Sequence, residues 1–196
     1  LLGALFPAAP APPRKVQSLA VAEQVLYEGE TRANRANGWG CLFLRDLRVE
    51  GQFADGRPSG QLRVWRLSRL LYEGEAAAGV PHGYGKFYGE HAAYEGQVVE
   101  GVCQGFGVLR SRGGVEYEGE FRGGRQDGRG TLKFADGTIF IGEFKYGMRH
   151  GKGSFIRRGL GTLETSWKSG MMDESAALIL RGRRIAVRVA DGRIAF

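Results

Sequence analysis

Three histidines, two cysteines and a column of glutamates are the residues with which this 196-residue chain could do chemistry. His82 and His150 each precede a glycine, at the eleventh position of a recurring segment, and His91 lies apart from them. No carboxylate stands at metal-ligand spacing from any of the three, so they are expected as turn residues and no metal site is predicted. Cys41 and Cys103 form neither a CxxC pair nor the disulfide framework of a small secreted domain, and no His or Asp is tied to either by a nucleophile motif. Glu28, Glu50, Glu73, Glu95, Glu118 and Glu164 recur at the same position of six of the seven segments, Ile141 standing in the other. In stacked hairpins that interval is about 10 Å, too far for two carboxylates to share a proton or a calcium ion, so they read as a solvated face. Gly83-Tyr84-Gly85, Gly105-Phe106-Gly107 and Gly128-Arg129-Gly130 resemble phosphate-cradling loops, but none opens a helix inside a βαβ unit, and they are expected as turn glycines. No catalytic residue, no cofactor and no enzyme is predicted.

Charge carries the one hint of a partner. Residues 1–116 hold 13 basic and 12 acidic residues, whereas residues 117–196 hold 15 and 9. Lys145, Arg149, Lys152, Arg157 and Arg158 follow one another with no acid between them, and Arg181, Arg183, Arg184, Arg188 and Arg193 come after. Such a cluster suits an anionic partner: an acidic protein surface or the headgroups of an anionic leaflet. Nucleic acid is the weakest of the candidates, because no nucleic-acid-binding motif accompanies the charge.

The elements that must position these residues come from a repeat. Origins fall at Tyr27, Val49, Tyr72, Tyr94, Tyr117, Phe140 and Leu163, with spacings of 22 or 23 residues throughout. The third column is Gly29, Gly51, Gly74, Gly96, Gly119, Gly142 and then Thr165, and the fifth is mostly bulky, with Phe53, Val98, Phe121, Phe144 and Trp167. Columns one, three and five share one face of a strand, because side chains alternate with period two. Glycine fills the eighth column from Gly56 to Gly170 and the twelfth from Gly38 to Gly151, and the two are expected to bracket a short polar turn. The sixteenth column is apolar in all seven segments, from Leu42 to Leu178, so a second strand follows each turn. Each segment is thus a β-hairpin that buries its apolar face only by stacking on its neighbours. Seven such hairpins would make a sheet about 65 to 70 Å long.

Residues 27–176 are assigned to this array. Residues 1–26 are rich in Ala and Pro and read as a linker or a processed end, Leu1–Phe6 being a candidate remnant of a targeting peptide. Residues 177–196 read as a capping meander of apolar strands broken at Arg181–Arg184 and at Asp191-Gly192, a hairpin dipeptide. No apolar run approaches the ~18 to 20 residues that a membrane-spanning helix needs.

The columns quoted above resemble the MORN (membrane occupation and recognition nexus) repeat family. The fullest instance is the fifth segment, YEGEFRGGRQDGRGTLKFADGT, from Tyr117 to Thr138, and the repeat-defining pairs are Tyr27 and Gly29, Tyr72 and Gly74, Tyr94 and Gly96, Tyr117 and Gly119, and Phe140 and Gly142. The resemblance implies an all-β fold, an elongated single-layer antiparallel sheet of stacked hairpins. It implies roles in scaffolding, in binding partner peptides along the groove and in membrane association. The expected function is a non-enzymatic protein-binding or scaffold module, a structural or assembly subunit of a larger complex. One alternative is a peripheral adaptor that binds anionic phospholipids through the basic C-terminal third. Another is an accessory subunit of a plastid or mitochondrial complex, should the first residues be a transit peptide. The expected location is intracellular: cytoplasmic, cytoskeletal or membrane-peripheral, or organellar in that last case.

Overall fold

The computed structural model describes residues 17–22, 25–190 and 193–195, and the side chains of residues 26–189. The described residues form seventeen β-strands and no helix. The chain divides into two compact units, Leu1–Gly85 and Lys86–Phe196.

The first unit contains β1 (Gln17–Ala22), β2 (Val25–Arg32), β3 (Arg35–Leu44), β4 (Leu47–Ala54), β5 (Arg57–Arg66) and β6 (Arg69–Ala77), and the boundary falls within β7 (Val80–Tyr88). Strands β1 to β6 pair antiparallel in chain order. Strand β1 lies in the segment where no strand was predicted, and pairs Leu19 with Tyr27. The buried cluster of this unit is Tyr27, Ala36, Val49, Phe53, Leu62 and Ala76. All six belong to alternating columns of the repeat, which is why they share a face.

The second unit contains β8 (Ala92–Val99), β9 (Val102–Ser111), β10 (Glu116–Arg122), β11 (Arg125–Lys133), β12 (Ile139–Lys145), β13 (Met148–Arg157), β14 (Gly161–Lys168), β15 (Met171–Leu180), β16 (Arg183–Ala190) and β17 (Arg193–Ala195). These also pair antiparallel in chain order. The predicted break at Arg181–Arg184 is shorter than expected, for only Arg181 and Gly182 leave the strands, in left-handed conformation. Asp191-Gly192 lies outside the described residues.

Two glycine columns prove to do different work, and only one makes the turn. Each hairpin closes on two left-handed residues: Glu100-Gly101, Gly123-Gly124, Tyr146-Gly147 and Ser169-Gly170. That mirror-image turn matches the right-handed twist of the flanking strands. The twelfth-column glycine instead sits inside the next strand, at a bulge. In the fifth repeat the register slips between Gly119 and Phe121, and Gly128 takes φ +114°, so that a Cβ there would lie 2.7 Å from the Glu120 carboxyl. The prediction that the eighth and twelfth columns bracket the turn, and that the GxG elements are turn glycines, is therefore corrected. His82 and His150, expected in turns, likewise lie within β7 and β13.

A bulge leaves ladder groups without strand partners, and buried backbone polar groups must find others. Here the repeat supplies both. The Tyr117 hydroxyl donates to the Glu120 carbonyl at 2.9 Å, and the Glu120 carboxylate accepts from the Arg129 N–H at 2.9 Å. The same hydroxyl bond recurs from Tyr27 to Glu30, Tyr72 to Glu75 and Tyr94 to Gln97. To reach that carbonyl the tyrosine lies flat across the third- and fourteenth-column glycines, and a Cβ on Gly130 would strike the Tyr117 ring. In the seventh repeat, whose first residue is Leu163, the third-column Thr165 is buried and donates to the Ser175 carbonyl at 2.9 Å.

Candidate binding surface

Within the second unit the first- and fifth-column side chains build a continuous row of edge-to-face rings. Tyr94 meets Phe121 at 4.9 Å between centroids, Tyr117 meets Phe144 at 4.9 Å, and Phe140 meets Trp167 at 4.9 Å. Edge-to-face pairs contribute about 0.5 to 1.5 kcal/mol each beyond the area they bury. The row is buried, with Tyr117 at 1% and Phe140 at 0% exposure, and a second tier of half-buried residues covers it: Leu109, Leu132, Phe134, Phe155 and Met172. This half-buried tier is the apolar surface of the aromatic face.

Arg149 places a cation over the rings of that face. Arg149 pairs across the ladder with Phe144, and its guanidinium lies 5.2 Å from the Phe155 centroid, 5.8 Å from Phe140 and 5.9 Å from Trp167. It makes no ion pair or side-chain hydrogen bond among the described residues. Burial against the rings pulls its pKa down from the usual arginine value.

The other predicted basic residues scatter rather than gather. Lys145 lies at the hairpin-turn end of β12, 5.7 Å over the Tyr146 ring. Arg157 and Arg158, where β13 ends, and Arg181 and Arg183, where β15 gives way to β16, lie at the opposite end. The nine-residue rise of β13 separates the two ends by about 30 Å. Arg157 there approaches Asp136 at 3.9 Å. Lys152 and Arg184 face away from the rings, on the walls of a concavity of about 790 Å³ floored by Ser154, Ala177 and Ala186. Arg184 is hydrogen-bonded to Glu164 in that concavity. The expectation of one cationic patch is thus corrected: residues close in sequence are spread by strand alternation and strand length over two faces and two ends. The glutamate column does form a charged ladder, with Arg63 near Glu73, Lys86 near Glu95 and Lys133 near Glu118, all at 3.7 Å.

The cysteines are poor nucleophiles where they stand. Burial pushes the Cys41 thiol up to about 11 and raises Cys103 as well, so both are protonated at neutral pH.

Compared with known families, the chain matches the MORN repeat over residues 50–61, 72–90, 94–115, 117–139 and 140–162. The chain belongs to the MORN-repeat family. No curated protein matches it. Among solved structures it is similar to the TCP domain of SAS-4 (dCPAP) of Drosophila melanogaster, determined in complex with a proline-rich motif of Ana2 (dSTIL). That similarity has 15% sequence identity and a TM-score of 0.49, and covers 93% of this chain and 97% of that one.

Two features of these MORN repeats escaped prediction. The fourth column, Glu30, Gln52, Glu75, Gln97, Glu120 and Glu143, is polar and carries no motif, yet Glu30, Gln52, Gln97 and Glu120 each accept a backbone N–H across the bulge. The tenth column, Ala36, Pro58, Pro81, Cys103, Gln126, Arg149 and Met172, is uncharged except at Arg149. Its place on the aromatic face follows from the register and from the packing of Ala36, Cys103 and Met172 against the buried clusters.

Proposed function

We propose that this MORN-repeat chain is a non-enzymatic binding module of a larger assembly, and that an extended segment of a partner protein lies along the aromatic face of residues 86–196. The observation that carries this reading is the half-buried tier of Leu132, Phe134, Phe155 and Met172 over a fully buried ring row. Aromatic, Met and Arg side chains of this kind dominate the energetic centres of protein interfaces. A photocrosslinking residue at Phe155 or Met172 and, separately, at Ser154 or Thr131 on the other face tests it in extracts of cells expressing the chain. The expected result is capture of the same protein from the first pair and not from the second. Equal capture from both faces, or none from either, discards the reading.

A second reading is favoured by the hairpin-turn end of the same unit. Tyr146 is 62% exposed, Met171 72% and Met148 44%, and Lys145 and Lys168 are exposed beside them. Apolar tips among cations suit the interface of an anionic leaflet. Flotation with phosphatidylserine vesicles, absent with neutral vesicles and lost in Lys145→Glu/Lys168→Glu, is the expected result. Equal flotation with neutral vesicles removes this reading.

A further inference from the structure

Arg149 is the departure in its column. Every other repeat places an uncharged residue there, because the position looks onto the buried rings. An arginine so placed gives up part of its hydration and recovers only the attraction of three ring faces at 5.2 to 5.9 Å. Its planar fork of donors meets no carboxylate among the described residues, and a fork of that shape is matched by a carboxylate in bidentate geometry. Of the acids on the two adjacent strands, Glu143 of β12 is the ladder partner of His150, and Glu164 of β14 is hydrogen-bonded to Arg184.

From this geometry we propose that Arg149 is the anchor for an aspartate or glutamate side chain of the bound segment, with apolar residues of that segment seated beside it on Phe155 and Met172. The ligand is accordingly an acidic and apolar extended peptide. The inference rests on the docking reading given above and adds the chemistry of its occupant. Arg149 is the second residue of β13, next to the hairpin turn, so the carboxylate meets it on the hairpin-turn side of the face.

Panning the whole chain against a phage library of ten-residue peptides tests the anchor. Fusion through the peptide C-terminus leaves no free terminal carboxylate, so any carboxylate selected belongs to a side chain. The chain is expected to enrich peptides with an acidic residue at a fixed distance from an aromatic or aliphatic one. Arg149→Met, which installs the residue of the seventh repeat, is expected to lose that acidic preference while keeping the circular dichroism of the parent. In a double-mutant cycle, replacing the acidic residue of an enriched peptide by its amide weakens binding to the parent by about tenfold or more, and changes binding to Arg149→Met by less than about twofold. Arg149→Lys retains the charge without the fork and falls between the two. Enrichment of neutral peptides by the parent, or an equal loss on both proteins, overturns the anchor and leaves the docking surface standing. Enrichment of no peptide by either protein overturns both.

Discussion

In the four repeats that begin with tyrosine the hydroxyl bonds a carbonyl three residues on, and that bond and the burial around it set two measurable properties. Removing it in Tyr117→Phe keeps the ring over the glycines but leaves the Glu120 carbonyl without its donor, which costs about 1 kcal/mol of stability in urea unfolding. The same burial shapes the response to pH. Desolvation first, and the charge of Glu30 or Glu75 second, push the Tyr27 and Tyr72 phenols up to about 12. Their unfolded value is about 10, so above that pH the folded chain holds protons that the unfolded chain has released. The stability they contribute is fully present below pH about 10 and is lost as pH rises toward about 12. Urea midpoints across that range should fall, and Tyr27→Phe with Tyr72→Phe should flatten the slope. At this scale the first and third columns were legible, since period-two alternation puts an aromatic beside a glycine. The fourth column was not, because a glutamate that accepts a backbone N–H has the same one-letter code as one in water. Arg149 was legible as charge and invisible as an anchor, since only the register assigns its face.

The hairpins of the second to sixth repeats carry glycine for two unrelated reasons, and substitution separates them. Gly147 takes φ +84° in the turn with nothing within 4 Å of an added Cβ, and asparagine tolerates that conformation. Gly147→Asn should therefore stay within about 0.5 kcal/mol of the parent. Gly128 lies at φ +114° under the Glu120 carboxyl, so Gly128→Asn adds backbone strain to a collision and should cost about 1 to 3 kcal/mol or more. Thermal unfolding of the two variants side by side checks the contrast. Equal losses would mean that the twelfth column belongs to the turn after all. The hairpins themselves were legible from glycine and apolar spacing. The turn was misplaced because both columns carry the same residue, and spacing alone does not distinguish a left-handed turn glycine from a bulge glycine. Strand β1 was hidden for another reason: its six residues adjoin a Pro-rich run that reads as linker, and its pairing with β2 lies outside the repeat period.

At the scale of the whole molecule the formal charge is +7, and what matters is how the folded strands distribute it. The sequence concentrates cations between Lys145 and Arg158, but β13 carries the two limits of that run to opposite ends, about 30 Å apart. Screening at about 0.1 M salt acts over about 10 Å, so the hairpin-turn end and the connection end attract an anionic surface independently. Adjacent connections lie about 10 Å apart, close enough for Arg158 and Arg181 to reinforce one another. An anionic vesicle that meets the exposed Tyr146, Met148 and Met171 uses the first end, where apolar insertion and charge act together. Lys145→Glu/Lys168→Glu should then abolish most flotation, and Arg158→Glu/Arg183→Glu should reduce only the weak binding that rising salt also removes. Combining the four changes should give the sum of the two effects, because sites this far apart with no shared partner are additive. A larger effect from Arg158→Glu/Arg183→Glu would move the membrane-facing surface to the connection end. Strong non-additivity would mean that both ends touch one surface at once, which requires the face of the sheet, and not its end, to lie on the membrane.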